Sequence, residues 1–508
     1  MATITVTDRE TSEIIENNPY LAGLGFQIDS YSDGVSRYMT WSSNDLTYNF
    51  RENERSPDFG FEGQTVGEFS RELKDAFRTA MDDISAVADV SFREVDGRNA
   101  NADIDYWSVY DEDANYTGYS YAVGGDGVFM NSYYIYGTFP GEPNGLTYGG
   151  INYATAIHEL LHNMGLSHPH DDNEFSVSFP GVSGPDDTGD HALNQTLYTL
   201  LSYNEVRQTL EDGSRSTGWP WSDITSVDRS FATMGAFDIA MLQALYGANT
   251  DSAGGDDTYA LATANGTGTY YKSIWDTGGI DAISAKTGDA VRIDLRPATL
   301  DPEDGALAGG GLSRVEGIYG GFTIAAGVDI ENAFTGWGKD DIRGNGLDNK
   351  LVSKDGDDVV RGFRGDDIVK LGEGDDRGFG GAGDDTMFGK QGNDTLYGEN
   401  GHDFIKGNGG ADFIKGGKGN DRIVSGGGDD TLSGGGGADE FVFRNDNGDD
   451  QLNGFNLKLD LLELKDFAAF EDLDITDTAD GALIVLGTGS VLLAGVEAGD
   501  LTVDHFIF

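Results

Sequence analysis

The apolar positions of this chain follow three rhythms, and each predicts a different kind of element. Residues 65–87 space Phe69, Leu73, Phe77, Met81 and Ile84 three or four positions apart, which gathers them on one face of a helix, as core packing requires. Short apolar runs at 46–50, 90–95 and 102–110 read as strands, so the order is strand, helix, strand, strand. Residues 116–148 are dense in tyrosine and glycine, and the alternation over 127–136 predicts an edge strand. An exposed edge can take up an extended peptide as a further strand, though any one of these aromatics serves equally well as sheet core. Residues 234–247 predict an amphipathic helix ended by Gly247. Residues 1–23 are polar with thin periodicity, and are expected to be a leader, a removable pro-segment or a frayed end.

The third rhythm has a period of nine. From Gly356 to Gly437 a glycine recurs every ninth residue, followed two positions later by Asp358, Asp367, Asp376, Asp385, Asp394, Asp403, Asp412, Asp421, Asp430 and Asp439. Two positions further comes an apolar side chain, from Val360 and Val369 to Leu432 and Phe441, except where Gly378 stands. This is the pattern G-G-x-G-x-D-x-U-x of a parallel β-roll. Glycines let the turn direct its carbonyls at a cation, the aspartate supplies charge, and the apolar residue fills a narrow core between two sheets. Oxygen-only ligands in an irregular loop favour Ca2+, so several structural calcium ions are expected between turns eighteen residues apart, held by Asp358 to Asp430. Without them the array is close to a low-complexity, disordered acidic chain. Gly378 removes a core side chain, so the roll is expected to be weakest there. Degenerate units are expected earlier, at Asp340 with Ile342 and Asn349 with Leu351.

Composition sharpens this picture. Asp and Glu number 88 against 33 Lys and Arg, a formal charge of -55 over 508 residues. Self-repulsion on that scale requires bound cations in a compact state and argues against nucleic acid or anionic membrane as partner. There is no cysteine, so neither disulfides nor thiolate metal ligands are available. No apolar stretch is long enough to span a bilayer, and the N-terminus lacks the basic-then-apolar pattern of a secretory signal peptide.

The candidate chemistry lies in AIHELLHNMGLSHP, residues 156–169, which places His158, Glu159, His162, Gly165 and His168 in the order H-E-x-x-H-x-x-G-x-x-H. Two histidines four apart on a helix share a face and can grip one metal ion. Gly165 can turn the chain back and bring His168 round as a third ligand. Three nitrogens suit zinc and leave a coordination position for water, with Glu159 as the general base. His170 and His191 lie in a loop-like segment and are left outside the site.

With Leu200-Leu201-Ser202-Tyr203 following, the chain resembles the serralysins, the repeats-in-toxin (RTX) branch of the metzincin endopeptidases. Their tight turn reads Met-Ser-Tyr, and here Leu201 stands in place of methionine, a swap of similar volume. The resemblance implies an α+β zincin-like catalytic domain followed by an all-β parallel β-roll domain. It divides the chain into 1–23, a catalytic domain over 24–249, a calcium-binding roll over 250–445 and a C-terminal cap over 446–508. It implies that Tyr203 contacts zinc and stabilises the oxyanion. Alternating patterns at 457–467 and 482–493 would close the roll. The ending Asp504-His505-Phe506-Ile507-Phe508 resembles an uncleaved signal for bacterial type I secretion, with a plain final strand as the other reading. The expected protein is a secreted, monomeric zinc endopeptidase acting on proteins or peptides. Two alternatives are a calcium-dependent adhesion or surface protein with a vestigial peptidase domain, and a zymogen closed by its N-terminal segment.

Overall fold

The computed structural model describes the chain except residues 1, 3, 29–35, 52–64, 67–68, 96–100, 111–117, 121–127, 132–150, 172–176, 186, 188, 190–192, 196–197, 203–232, 266–268, 319 and 445–447. An α+β N-terminal unit precedes a long parallel β-roll.

In the N-terminal unit the sheet runs, by strand, Ser91–Glu94, Asp45–Arg51, Ile104–Tyr110, Val128–Asn131 and Gly118–Ser120. The first four are parallel, and Gly118–Ser120 returns antiparallel to Val128–Asn131. The strand expected at the edge is therefore internal. Among the described residues the edge on that side is Gly118–Ser120, because this short segment folds back along its successor.

The long helix is Arg71–Val87, shorter than the apolar spacing suggests. Ser70 caps it by accepting the Leu73 N–H at 3.1 Å, while Thr65 and Val66 pair with Tyr110 and Val109 as strand. Phe69 lies before the cap and still packs into the core, 5.0 Å from the Phe50 ring. Leu73, Phe77, Met81 and Ile84 form the buried stripe, against which the helix Ile151–Asn163 packs.

Residues 4–24 are not a frayed end. Ile4–Val6 pairs antiparallel with Arg37–Trp41, and Arg9–Glu16 and Pro19–Ala22 are helical. Ile15, Tyr20, Leu21 and Leu24 are buried, and Tyr20 stacks on Phe237 at 4.7 Å. These four inward residues stand at spacings that mark no period, and the neighbouring Ile14 is exposed.

The roll consists of an 11-stranded and a 12-stranded sheet whose strands alternate along the chain, so each turn of the roll takes eighteen residues. Val360, Gly378, Leu396, Ile414 and Leu432 stand in register in one sheet, and Leu351, Val369, Met387, Ile405, Ile423 and Phe441 in the other. All but the glycine are fully buried large side chains, each worth roughly 1.5–3 kcal/mol of burial. The turns stack so closely that a Cβ on Gly383, at φ 137°, would lie 2.1 Å from the Gly365 carbonyl oxygen. Only glycine fits there.

The expected weak point at Gly378 is filled. Leu371 replaces the glycine found at the equivalent position of the neighbouring repeats, and is buried. Its Cδ1 and the Met387 Cε lie 3.3 and 2.8 Å from where a Gly378 Cβ would be. Strands Gly489–Ala494, Gly481–Leu486 and Asp474–Asp477 close one sheet, while Phe506–Ile507 pairs in parallel with Leu462 and Glu463 in the other. The final residues thus form a strand. Among the described residues no helix is long and apolar enough to cross a membrane.

Candidate metal centre

Local structure positions the three histidines. His158 and His162 project from Ile151–Asn163, and the helix stops because Gly165 takes φ 103°, a left-handed conformation open to glycine. The returning loop is pinned from behind by the N-terminal segment. Phe26 N–H donates to the Gly165 carbonyl at 3.2 Å, Ser167 N–H to the Leu24 carbonyl at 2.8 Å, and Trp41 Nε1 to the Asn163 carbonyl at 3.0 Å. The loop then presents His168 to the helix.

The three rings meet through their Nε2 atoms, with His168 Nε2 3.2 Å from that of His158 and 3.1 Å from that of His162. Each Nδ1 faces an acceptor. These are the Leu200 carbonyl at 3.0 Å for His158, the Leu166 carbonyl at 2.8 Å for His162, and Asp171 Oδ2 at 3.2 Å for His168. Those partners place the protons on Nδ1, so three Nε2 lone pairs converge with no hydrogen between them. A tetrahedral ion with bonds of about 2.0–2.1 Å separates its ligands by about 3.3 Å, so the donor set fits. Burial and then repulsion from His168 push the His158 imidazole down to about 3, and burial holds His162 well below its usual value, so both stay neutral as ligands must be.

Glu159, which follows His158 on the helix, is buried, and burial pushes its carboxyl up to about 8. Leu201 is fully buried, as its apolar character requires. Tyr203 and His191 lie outside the described residues. His170 stacks on His168 at 5.0 Å.

Two supporting carboxylates carry no sequence motif. Asp171 orients His168. Asp238, wholly buried in the helix Ala236–Tyr246, accepts from Thr199 Oγ1 at 2.6 Å, Leu200 N–H at 2.7 Å and Gly235 N–H at 2.9 Å. It thereby holds the turn whose Leu200 carbonyl receives His158. Its spacing to Leu200 reveals nothing, since the contact crosses 38 residues.

The roll offers a second donor class. In each repeat the aspartate Oδ1 accepts the N–H of the residue eighteen positions earlier, as from Asp367 to Asp385 at 2.8 Å and from Asp385 to Asp403 at 2.9 Å. The other oxygen is buried without a hydrogen-bond partner at Asp358, Asp367, Asp385, Asp394, Asp403, Asp412, Asp421, Asp430 and Asp439. Asp376 Oδ2 alone in this series accepts the Gly372 N–H, at 3.2 Å. Gly362 has both Asp367 Oδ2 and the Gly380 carbonyl oxygen against its Cβ position, and Gly398 likewise has Asp403 Oδ2 and the Gly416 carbonyl. Acceptors gathered without a donor call for a cation. Burial pushes Asp358, Asp394, Asp412, Asp421 and Asp430 up to about 7 and Asp367 to about 8. A further acidic group, Asp257, Asp276 and Asp281, has ligand atoms within 4.8 Å of one another at the start of the roll.

Comparison with known proteins places these features. The family described as RTX calcium-binding nonapeptide repeat matches residues 343–378, 379–414 and 406–441. The chain is 31% identical to a serralysin of Proteus mirabilis over 347 residues, 62% of each chain. It is 30% identical to metallopeptidase AprA of Pseudomonas marginalis over 326 residues, 60% of this chain and 61% of that one. With serralysin C of Dickeya chrysanthemi the identity is 29% over 346 residues, 62% of this chain and 63% of that one. The matched region thus spans about three fifths of these relatives, and the resemblance read from the motifs holds across all three.

Proposed function

We propose, taking as premise a serralysin-like chain with RTX repeats, that this protein is a secreted zinc endopeptidase whose C-terminal roll folds on binding calcium. The observation that carries the reading is the convergence of three Nε2 lone pairs, with His168 Nε2 3.1–3.2 Å from those of His158 and His162, whose helix also carries the buried Glu159. His158, His162 and His168 would hold zinc. When bound, the ion supplies Lewis-acid polarisation of the scissile carbonyl and makes a water acidic enough to attack at neutral pH.

The chain's own residues do the rest. Glu159 takes the proton of the attacking water and delivers it to the leaving amine. Burial raises the Glu159 carboxyl to about 8, and a cation held by the three histidines would lower it again and ready it to accept a proton at neutral pH. Asp171 and the Leu166 and Leu200 carbonyls keep each imidazole in the tautomer with a free Nε2. Tyr203, by the resemblance, donates to the developing oxyanion. Leu201 beneath the site preserves the volume of the methionine it replaces.

In the roll, calcium would sit between turns eighteen residues apart, where the Oδ2 atoms of Asp358 to Asp430 and glycine carbonyls gather. Scarce calcium inside the cell keeps the acidic segment extended for type I export, guided by the C-terminal residues, and abundant calcium outside folds it. Substrates are proteins or peptides, and the enzyme works as a monomer divided as 24–249, 250–445 and 446–508.

The test is casein cleavage by the calcium-loaded protein against Glu159→Gln. A loss of at least about a thousandfold in kcat with unchanged zinc content is expected. Equal rates would leave a calcium-binding roll on a vestigial peptidase.

A further inference from the structure

One outer face of the roll carries a charge opposite to that of the molecule. In the 11-stranded sheet, Leu351, Val369, Met387 and Ile405 point into the core, so the alternate positions point outward. Those outward positions hold Lys350, Lys370 and Lys406, joined by Lys354 just past its strand and Lys390 near the end of its own. Five of the chain's thirteen lysines are thus gathered on one face of a protein of net charge -55. Random placement on so acidic a surface would pair them.

Among the described residues none of the five has a carboxylate partner within ion-pair distance, whereas on the opposite sheet Arg343 and Arg361 both bind Asp341. Four of the ammonium groups lie instead against aromatic rings. Lys370 and Lys390 Nζ are 5.8 and 5.4 Å from the Phe388 centroid, Lys350 Nζ is 5.8 Å from Phe334, and Lys354 Nζ is 5.5 Å from Trp337. Lys370, Phe388 and Lys406 are successive partners in register, so they repeat at the strand spacing of about 4.8 Å.

Lys354 and Lys390 have φ of 108° and 93°, a left-handed conformation that Phe363, Glu399 and Asn408 share at the same repeat position and that Gly381, Gly417, Gly426 and Gly435 adopt without strain.

We propose that this face docks an anionic polysaccharide. Carboxylate or sulfate groups along the polymer pair with the lysines, and sugar rings lie on the aromatic faces between them. Exposed Asp357 and Asp375 line one rim of the strip, and Asp366 and Asp384 line the other. A single polysaccharide strand can follow the lysines without crossing either row of carboxylates, whereas a surface as broad as a bilayer would meet them. This inference does not rest on the peptidase reading.

The experiment is calorimetric titration of the full, calcium-loaded chain with chondroitin sulfate, with neutral dextran, duplex DNA and phosphatidylglycerol vesicles in parallel. Binding of chondroitin sulfate alone is expected, weakening with salt. Lys354→Gly/Lys390→Gly should lower the affinity at least tenfold with the calcium-dependent circular dichroism unchanged, and Lys370→Gln/Lys406→Gln should lower it similarly. Lys415→Gln/Lys418→Gln, on the opposite sheet, should not. Absence of binding overturns the proposal, as do variants that bind like the parent, an equal loss in the Lys415 and Lys418 variant, or tighter binding of DNA or vesicles.

Discussion

At His168 the second ring nitrogen governs how well the first can bind. The other two histidines lean on backbone carbonyls, which no substitution removes, but His168 leans on a side chain, Asp171, at 3.2 Å. Asp171→Ala frees the ring to rotate and to change tautomer. Zinc affinity should fall about 10–100-fold in a chelator competition, with secondary structure retained. The H-E-x-x-H-x-x-G-x-x-H spacing made the ligand candidates legible, since a helix and a left-handed glycine follow from local chemistry. Asp171 and Asp238 were not legible, because an aspartate in a loop or helix looks the same whether it faces water or a ligand. Burial alone distinguishes Asp238, and burial is a tertiary property.

Elements show where period and packing part company. The helix Arg71–Val87 obeys its stripe but begins where Ser70 caps it, because Thr65 and Val66 are drawn into the sheet. The N-terminal segment shows no period, yet Tyr20, Leu21 and Leu24 are core, and Leu24 and Phe26 bond the loop that carries His168. Deleting residues 1–23 should therefore abolish cooperative melting of the N-terminal unit in calorimetry. If that unit melts unchanged, the segment is dispensable. In the roll, Leu371 occupies the space that Gly378 leaves. Leu371→Ala should cost about 2–5 kcal/mol in calcium-loaded chemical denaturation, as a buried leucine lost from a tight core does.

For the whole molecule, the buried aspartates link folding to both proton and calcium. Their folded values without a cation, about 6 for Asp385 and Asp403 and about 7 for Asp358 and Asp412, lie above the ordinary carboxyl value of 3.8. A group raised on folding contributes stability that is full below its unfolded pKa and disappears as pH rises through the folded one. Calcium-free protein should thus hold roll structure near pH 4 and lose it progressively up to about pH 7–8, where calcium restores it. Circular dichroism across pH, with and without calcium, tests this. A calcium-free roll most stable at pH 8 would contradict it. The same substitution of cation for proton reconciles the charge of -55 with a compact fold.

The sequence by itself determined the repeat, its two-sheet core and the order of the metal motif, because glycine, aspartate and apolar residues at fixed spacing leave few conformations that satisfy them. It also determined the antagonism between charge and compactness. Only the tertiary structure decided which groups orient the histidines, that the N-terminal segment braces the motif, that Leu371 compensates Gly378, and that five lysines with no carboxylate partner among the described residues share one face. Those depend on contacts between residues distant along the chain, which local spacing does not encode.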